Sequence, residues 1–391
     1  MSRQSNITIA VFIDAVGWEI ARRYGFLAQL LPRQKQLETV FGYSSTCEPT
    51  ILTGVAPRDH GHFAFYAYAP ERSPFQRIEY LSWLPDFLTE RGRIRRQISK
   101  FVQWRLGVTG YFQLYNVPFS LLPELDYTER RDLYQPGGII GGQTTLFDDL
   151  RDLGTSFHLS DWRKGERENL YAAKTSVRSG RPRFAYIFLA ELDAILHAEG
   201  TDAVTVGKKL RWYERELTDL VSIAKKEYEQ VSVVVFSDHG MTNIRSEFNL
   251  MRVIGQLPLQ VPQDYFAVYD STMARFWFRT PLAERMITAE LECHKQGRWL
   301  TKDDLARWGC DFLDQRYGQQ FYLLNPGILL NPSFMGRTTL KGMHGFAPDD
   351  KDSIAFFATN DLLMALPDSL MDLRRVLTAS LNVRQGEEVC V

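Results

Sequence analysis

The chain has 391 residues, 45% of them hydrophobic and 24% charged, with a formal net charge of -1. That balance is globular and excludes a mainly disordered chain, and the near-zero charge leaves no overall electrostatic pull toward nucleic acid or an anionic membrane. An anionic substrate would have to be drawn in by a local feature such as bound cations.

Ile7 to Ile13 is a continuous apolar, β-branched run ending at Asp14, and it predicts a buried parallel strand. Apolar spacing from Trp18 to Leu31 predicts a helix. Leu37 to Tyr43 reads as a second strand, and Phe184 to Leu189 as a third, followed by Glu191 and Asp193. Helical spacing returns from Lys208 to Lys226. Ser232 to Phe236 is a short apolar strand that ends at Ser237-Asp238-His239-Gly240. Ser353 to Ala358 reads as a strand and Leu362 to Leu381 as a closing helix.

Strands that alternate with helices, and that are apolar throughout, imply a parallel sheet covered on both faces. The predicted fold class is therefore a three-layer α/β/α domain with a mostly parallel central sheet. Ligands of such sheets bind beyond the carboxyl ends of the strands. Asp14, Glu191 with Asp193, and Asp238 with His239 all follow strands and so fall on that edge. One domain is expected over 1–391, with a core of 1–62, 150–245 and 340–391. The stretches of about 63–149 and 246–339 break the alternation and are aromatic-rich, with Phe65, Tyr111, Tyr115, Trp277 and Tyr322 among them. They read as insertions over the active edge. Their aromatics make either an ordinary subdomain core or substrate contacts.

No apolar run approaches the roughly 18 residues of a membrane span, and the first residues lack a signal peptide's apolar core. The cysteines Cys47, Cys293, Cys310 and Cys390 form no CxxC pair. Free thiols and a cytoplasmic location are expected. The sequence gives no oligomeric state.

Three histidines sit in compact acidic or glycine settings: Asp193-x-x-x-His197, Ser237-Asp238-His239-Gly240-Met241 and Gly342-Met343-His344-Gly345-Phe346. Carboxylate and imidazole together suit zinc, with manganese or iron as alternatives. An Asp and a His four residues apart share one face of a helix. Each piece alone has an ordinary structural reading, but their joint order is hard to obtain by accident.

That order resembles the alkaline phosphatase superfamily, and within it the nucleotide pyrophosphatase/phosphodiesterase branch. The early strand end Val11-Phe12-Ile13-Asp14 is similar to the branch's metal-binding Asp. Thr53-Gly54 through Pro57 to His60-Gly61 resembles its TG…P…HG signature. Leu192-Asp193 through His197 to Gly200 resembles its PDxxxHxxG pattern, with Leu192 in place of proline. Ser237 to Met241 and Gly342 to Phe346 fit its SDHGM and GxHGF patterns.

The resemblance implies two divalent ions. Asp193, His197 and His344 would hold one; Asp14, Asp238, His239 and the nucleophile would hold the other. The nucleophile of the branch lies ten residues before the Gly of the TG pair, which gives Ser44, with Ser45 and Thr46 as alternatives. The implied activity is hydrolysis of a small-molecule phosphoester through a phosphoseryl intermediate, with phosphodiesterase favoured over phosphomonoesterase or phosphonate hydrolase. Ser44-Ser45-Thr46-Cys47-Glu48 lacks the Pro and Arg of a sulfatase motif, and no SEVGH-type mutase stretch is present. A metal-free scaffold is the non-enzyme alternative.

A helix is expected to start near Glu48-Pro49 and to offer its N–H groups to the anion. Glu48 would oppose a phosphate there; it would either cap that helix or bind a substrate amine. His60 and His62 read as structural, and Ser156 to Trp162 receives no role.

Overall fold

The computed structural model describes residues 4–83 and 92–382. Its centre is a six-stranded sheet of β1 (Gln4–Ile13), β2 (Arg33–Leu37), β3 (Phe157–Leu159), β4 (Phe184–Leu189), β5 (Tyr228–Phe236) and β6 (Ala355–Thr359). The spatial order is β2-β6-β5-β1-β4-β3, and only β6 runs against the others. The register sets the chemistry: Ile13 is level with Leu189, and Phe12 with Phe236. The three central strands therefore end together, and the residues that follow them share one edge.

Alternation along β1 feeds two helical layers. Ile7, Ile9, Val11 and Ile13 pack with Leu170 and Val177 of helix Glu166–Arg178 and with Leu210, Leu217 and Leu220 of helix Val204–Glu227. Ala10 and Phe12 face Ile51 and Leu52 of helix Ser44–Thr53, and Leu373 and Leu377 of helix Leu373–Asn382. The fold is thus α/β/α around a mostly parallel sheet. A separate cluster joins Tyr66, Val102 and Tyr127 to Phe266, Trp277 and Tyr322, so the two aromatic stretches build one core together. A four-stranded antiparallel sheet from Tyr265 to Leu324 backs it.

Four local expectations differ from the structure. The second strand is Arg33–Leu37 and not Leu37 to Tyr43, because it is an edge strand paired only with β6 and needs no continuous apolar run. The helix from Trp18 stops at Tyr24, where Gly25 turns left-handed and its N–H reaches Ala21 and Arg22. Pro367 holds the closing helix back to Leu373, behind a single 3₁₀ turn at Leu370–Asp372. Helix Ser44–Thr53 begins before Glu48-Pro49 and carries Pro49 inside. Cys390 lies outside the described residues.

Candidate metal centre and active site

The loops after β1 and β5 meet closely. A Cβ on Gly17 would come within 2.4 Å of Gly240 Cα, so the glycines let Asp14 and the Asp238-His239 pair sit side by side. Helix Glu191–Glu199 follows β4 and presents Asp193 and His197 one turn apart. His344 follows the short strand Gly342–Met343, which pairs with Thr242–Asn243 just beyond His239.

Two groups of ligand-type atoms result, Asp193 with His197 and His344, and Asp14 with Asp238 and His239; within each, the atoms lie within 4.8 Å of one another. In the first, Asp193 Oδ1 is 3.3 Å from His197 Nε2 and 3.7 Å from His344 Nε2. In the second, His239 Nε2 is 3.1 Å from Asp238 Oδ2 and 3.6 Å from Asp14 Oδ1. The groups adjoin through the His239 and His344 rings, which stack with centroids 3.7 Å apart.

These donors fit divalent ions. The Nδ1–H of His197 donates to the Gly342 carbonyl at 2.8 Å, and that of His239 to the Gly240 carbonyl at 2.9 Å. Both rings are thereby oriented with Nε2 toward the carboxylates, the usual arrangement around a metal-binding imidazole. Asp14 Oδ1, Asp193 Oδ1 and Asp238 Oδ2 are buried without hydrogen-bond partners. Oxygens in that state are costly unless a cation meets them.

Electrostatics agree. Burial, followed by Asp238, Asp193 and Glu48, pushes the Asp14 carboxyl well above the carboxylate range. Burial opposes charge on His239 and His197, but Asp238 and Asp193 beside them raise both overall. Burial, then His239 and His197, holds His344 well below the usual imidazole range.

Three hydroxyls start the following helix, and they point to different places. Ser44 Oγ lies 3.1 Å from His239 Nε2. Ser45 donates to the Phe63 carbonyl at 3.3 Å, and Thr46 donates to the same oxygen. Gly42, at φ 131°, makes the turn into this helix, and a Cβ there would sit 2.1 Å from Thr46 Oγ1. Tyr43 ties the turn to the remaining loops. Its hydroxyl lies 2.8 Å from Thr272 Oγ1, Thr272 donates to the Gly345 carbonyl, and its ring meets His344 edge-on at 5.7 Å.

A cavity of about 820 Å³ opens over both groups, lined by Asp14, Ser44, Asp193, His197 and His344. Glu48 also lines it. That residue does not cap the helix; its carboxylate accepts from Tyr134 Oη at 2.8 Å, and burial raises it to about 7. Glu129, Asp132, Tyr111, Tyr115, Trp162 and Arg163 line the cavity as well. Tyr111 and Tyr115 are among the aromatics that the sequence marks as core or substrate contacts, while the part of the other four was missed. For Trp162 a signal existed, since it follows strand β3. Glu129 and Asp132 lie in an aperiodic insertion and Arg163 in the turn after β3, and these carry none. His60 and His62 are fully buried elsewhere, bound to Thr50 Oγ1 and to the Ile140 N–H respectively.

The sequence model of the type I phosphodiesterase / nucleotide pyrophosphatase family matches residues 8–274, from within β1 past the SDHGM loop. The chain belongs to that family. It is accordingly a phosphoester hydrolase of the phosphodiesterase type, in a metal-dependent family. Human ectonucleotide pyrophosphatase/phosphodiesterase 5 superposes with a TM-score of 0.68 at 14% identity, over 97% of this chain and 95% of that one. The murine protein gives 0.66 at 16% identity over the same shares, as does its inactive threonine-to-alanine variant in complex with AMP. At such identities these structures establish the fold. A search of curated proteins found no sequence match. Among the described residues, no helix is long and apolar enough to cross a membrane.

Proposed function

We propose that this phosphodiesterase uses two divalent ions and Ser44 as its nucleophile. The observation that carries the reading is the 3.1 Å approach of Ser44 Oγ to His239 Nε2, within a pair of Asp/His groups whose buried oxygens lack partners. Asp193, His197 and His344 would hold one ion, and Asp14, Asp238, His239 and Ser44 the other. Zinc suits the donors best, with manganese or iron as alternatives. Bound there, the ions would supply positive charge that lowers the Ser44 hydroxyl pKa and neutralises phosphate oxygens.

The residues of the chain do the rest. Ser44 is the first residue of its helix, where backbone N–H groups have no intrahelical acceptor and face an anion favourably. Ser44 Oγ attacks phosphorus, and the bond to the leaving oxygen breaks. Water then cleaves the phosphoserine and restores the hydroxyl. Tyr43, through Thr272, holds the helix start and the His344 loop in place. The wall of aromatic and acidic side chains excludes water and selects the substituent on the phosphate. The murine relative was captured with AMP, and a nucleotide-type diester or pyrophosphate is the small-molecule class proposed here. A single domain over 1–391 and a cytoplasmic location belong to the same reading; Cys47, Cys293 and Cys310 are free thiols.

The test pairs metal analysis with substrate choice. Mass spectrometry of the protein reconstituted with zinc or manganese should find about two ions per chain. Bis-p-nitrophenyl phosphate should then be cleaved faster than p-nitrophenyl phosphate or phosphonoacetate. Preference for the monoester or the phosphonate, or no bound metal after reconstitution, overturns the reading.

A further inference from the structure

The cavity over the metal groups also holds an acidic residue with nothing to balance it. Glu129 is 6% exposed, lines the cavity, and no hydrogen bond or ion pair reaches its carboxylate among the described residues. Its acidic neighbours are differently placed. Asp132 is met by Arg163 at 2.9 Å and by Trp162 Nε1 at 3.3 Å. Glu48 accepts from Tyr134 Oη at 2.8 Å. Arg163 is itself committed, since it also donates to Asp161 and the Thr109 carbonyl and stacks on Trp162 at 4.2 Å. Burial, Glu48 and Asp132 all push Glu129 upward, as expected where no cation faces it.

Aromatic rings border the same space. Phe65 and Tyr115 stack at 5.6 Å, and the hydroxyls of Tyr111 and Tyr115 lie 2.9 Å apart. A buried carboxylate beside ring faces suits a cation. The three acids are not gathered as a metal would require: among the described residues only the Asp14 and Asp193 groups bring ligand atoms together. An organic cation is therefore indicated. Carboxylate oxygens want N–H donors, which an amine offers and a quaternary ammonium lacks.

We infer that Glu129, aided by Glu48, is a specificity residue that binds a protonated amine on the substrate, so that the enzyme's preferred phosphodiesters carry an aminoalkyl or aminosugar-type substituent. The inference rests on the phosphodiesterase reading above.

The test compares three p-nitrophenyl diesters whose second substituent is 2-aminoethyl, 2-hydroxyethyl or 2-(trimethylammonio)ethyl. The amine should be favoured in kcat/KM over the hydroxyl by about tenfold or more, the worth of one charge-assisted hydrogen bond. In Glu129→Gln that ratio should fall toward unity. An unfavoured amine, a ratio unmoved by Glu129→Gln, or preference for the trimethylammonio ester overturns the assignment. A neutral Glu129 donating to the substrate would show itself as preference for the hydroxyl. Turnover of bis-p-nitrophenyl phosphate reports on the phosphodiesterase reading separately. Should no diester be cleaved, calorimetry of 2-aminoethyl phosphate against ethyl phosphate on the metal-loaded protein still decides. Equal affinities would sink the amine site.

Discussion

Ser44 Oγ and His239 Nε2 lie 3.1 Å apart, although 195 residues separate them in the chain. One begins a helix and the other follows the central strand β5, whose end is flush with those of β1 and β4. Ser45 and Thr46 spend their hydroxyls on the Phe63 carbonyl. Ser44→Ala should therefore lower kcat on bis-p-nitrophenyl phosphate by at least about a thousandfold, the scale seen when a nucleophile is removed. Ser45→Ala should stay within about tenfold of the parent. Steady-state rates on the two variants check this, and full activity in Ser44→Ala would move the nucleophile elsewhere.

The central sheet was legible because its buried strands are apolar throughout. The gathering of the candidate ligands was legible because polar residues at strand ends in a parallel sheet have one edge to share. Asp14, Asp238 and His239 belong to that class, and Asp193 with His197 adds a helical face. What sequence missed has physical causes. Arg33–Leu37 is polar since an edge strand can be, and Pro49 looked like a helix start while Gly42 made the real turn five residues upstream of Cys47. Glu129 sits in the charged run Thr128-Glu129-Arg130-Arg131-Asp132, which reads as a solvated surface. Only the fold shows that Glu129 is buried and lines the cavity.

Metal removal should cost stability as well as turnover. Asp14, Asp193 and Asp238 each keep a buried oxygen without a hydrogen bond, and Asp14 is pushed upward by burial and then by its acidic neighbours. Ions bound only by the folded chain stabilise it by mass action, about 4 kcal/mol when present at a thousand times their dissociation constant. Chelation followed by thermal denaturation should show a lower Tm, restored by zinc or manganese along with activity. An unchanged Tm and unchanged turnover after complete chelation would contradict the metal assignment.

Glu48 gives a pH dependence of defined sign in the metal-free chain. Burial raises its carboxyl from 4.5 to about 7, Tyr134 opposing and Asp238 and Asp132 adding to the rise. The folded state then holds this proton more tightly than the unfolded state. Ionisation of Glu48 consequently destabilises the fold as pH climbs from about 4.5 through about 7. Glu48→Gln still accepts from Tyr134 but cannot ionise. The variant should exceed the parent by on the order of 2 kcal/mol at pH 8 and by much less at pH 5. Denaturant midpoints at the two pH values measure the difference, and a gain of equal size at both would exclude this origin.

Arg275 ties the two aromatic-rich stretches together from inside. It is fully buried, donates to Asp270 at 2.6 Å, and donates to the Tyr66 and Tyr317 carbonyls at 3.0 and 3.2 Å. One guanidinium thus joins the hairpin that carries Thr272 to both the Tyr66 and the Tyr317 segments. Arg275→Met fills similar volume but strands Asp270 as a buried, unpaired charge beside the cavity, and should cost about 3–5 kcal/mol. Adding Asp270→Asn removes that charge and should recover part of the loss, though not the carbonyl contacts. Urea unfolding of the single and double variants separates the two effects. Because Tyr43 is tied to Thr272, the single variant should also lower kcat even where it remains folded. A folded Arg275→Met protein with parental kcat would show that the segment carrying Thr272 does not position the nucleophile helix.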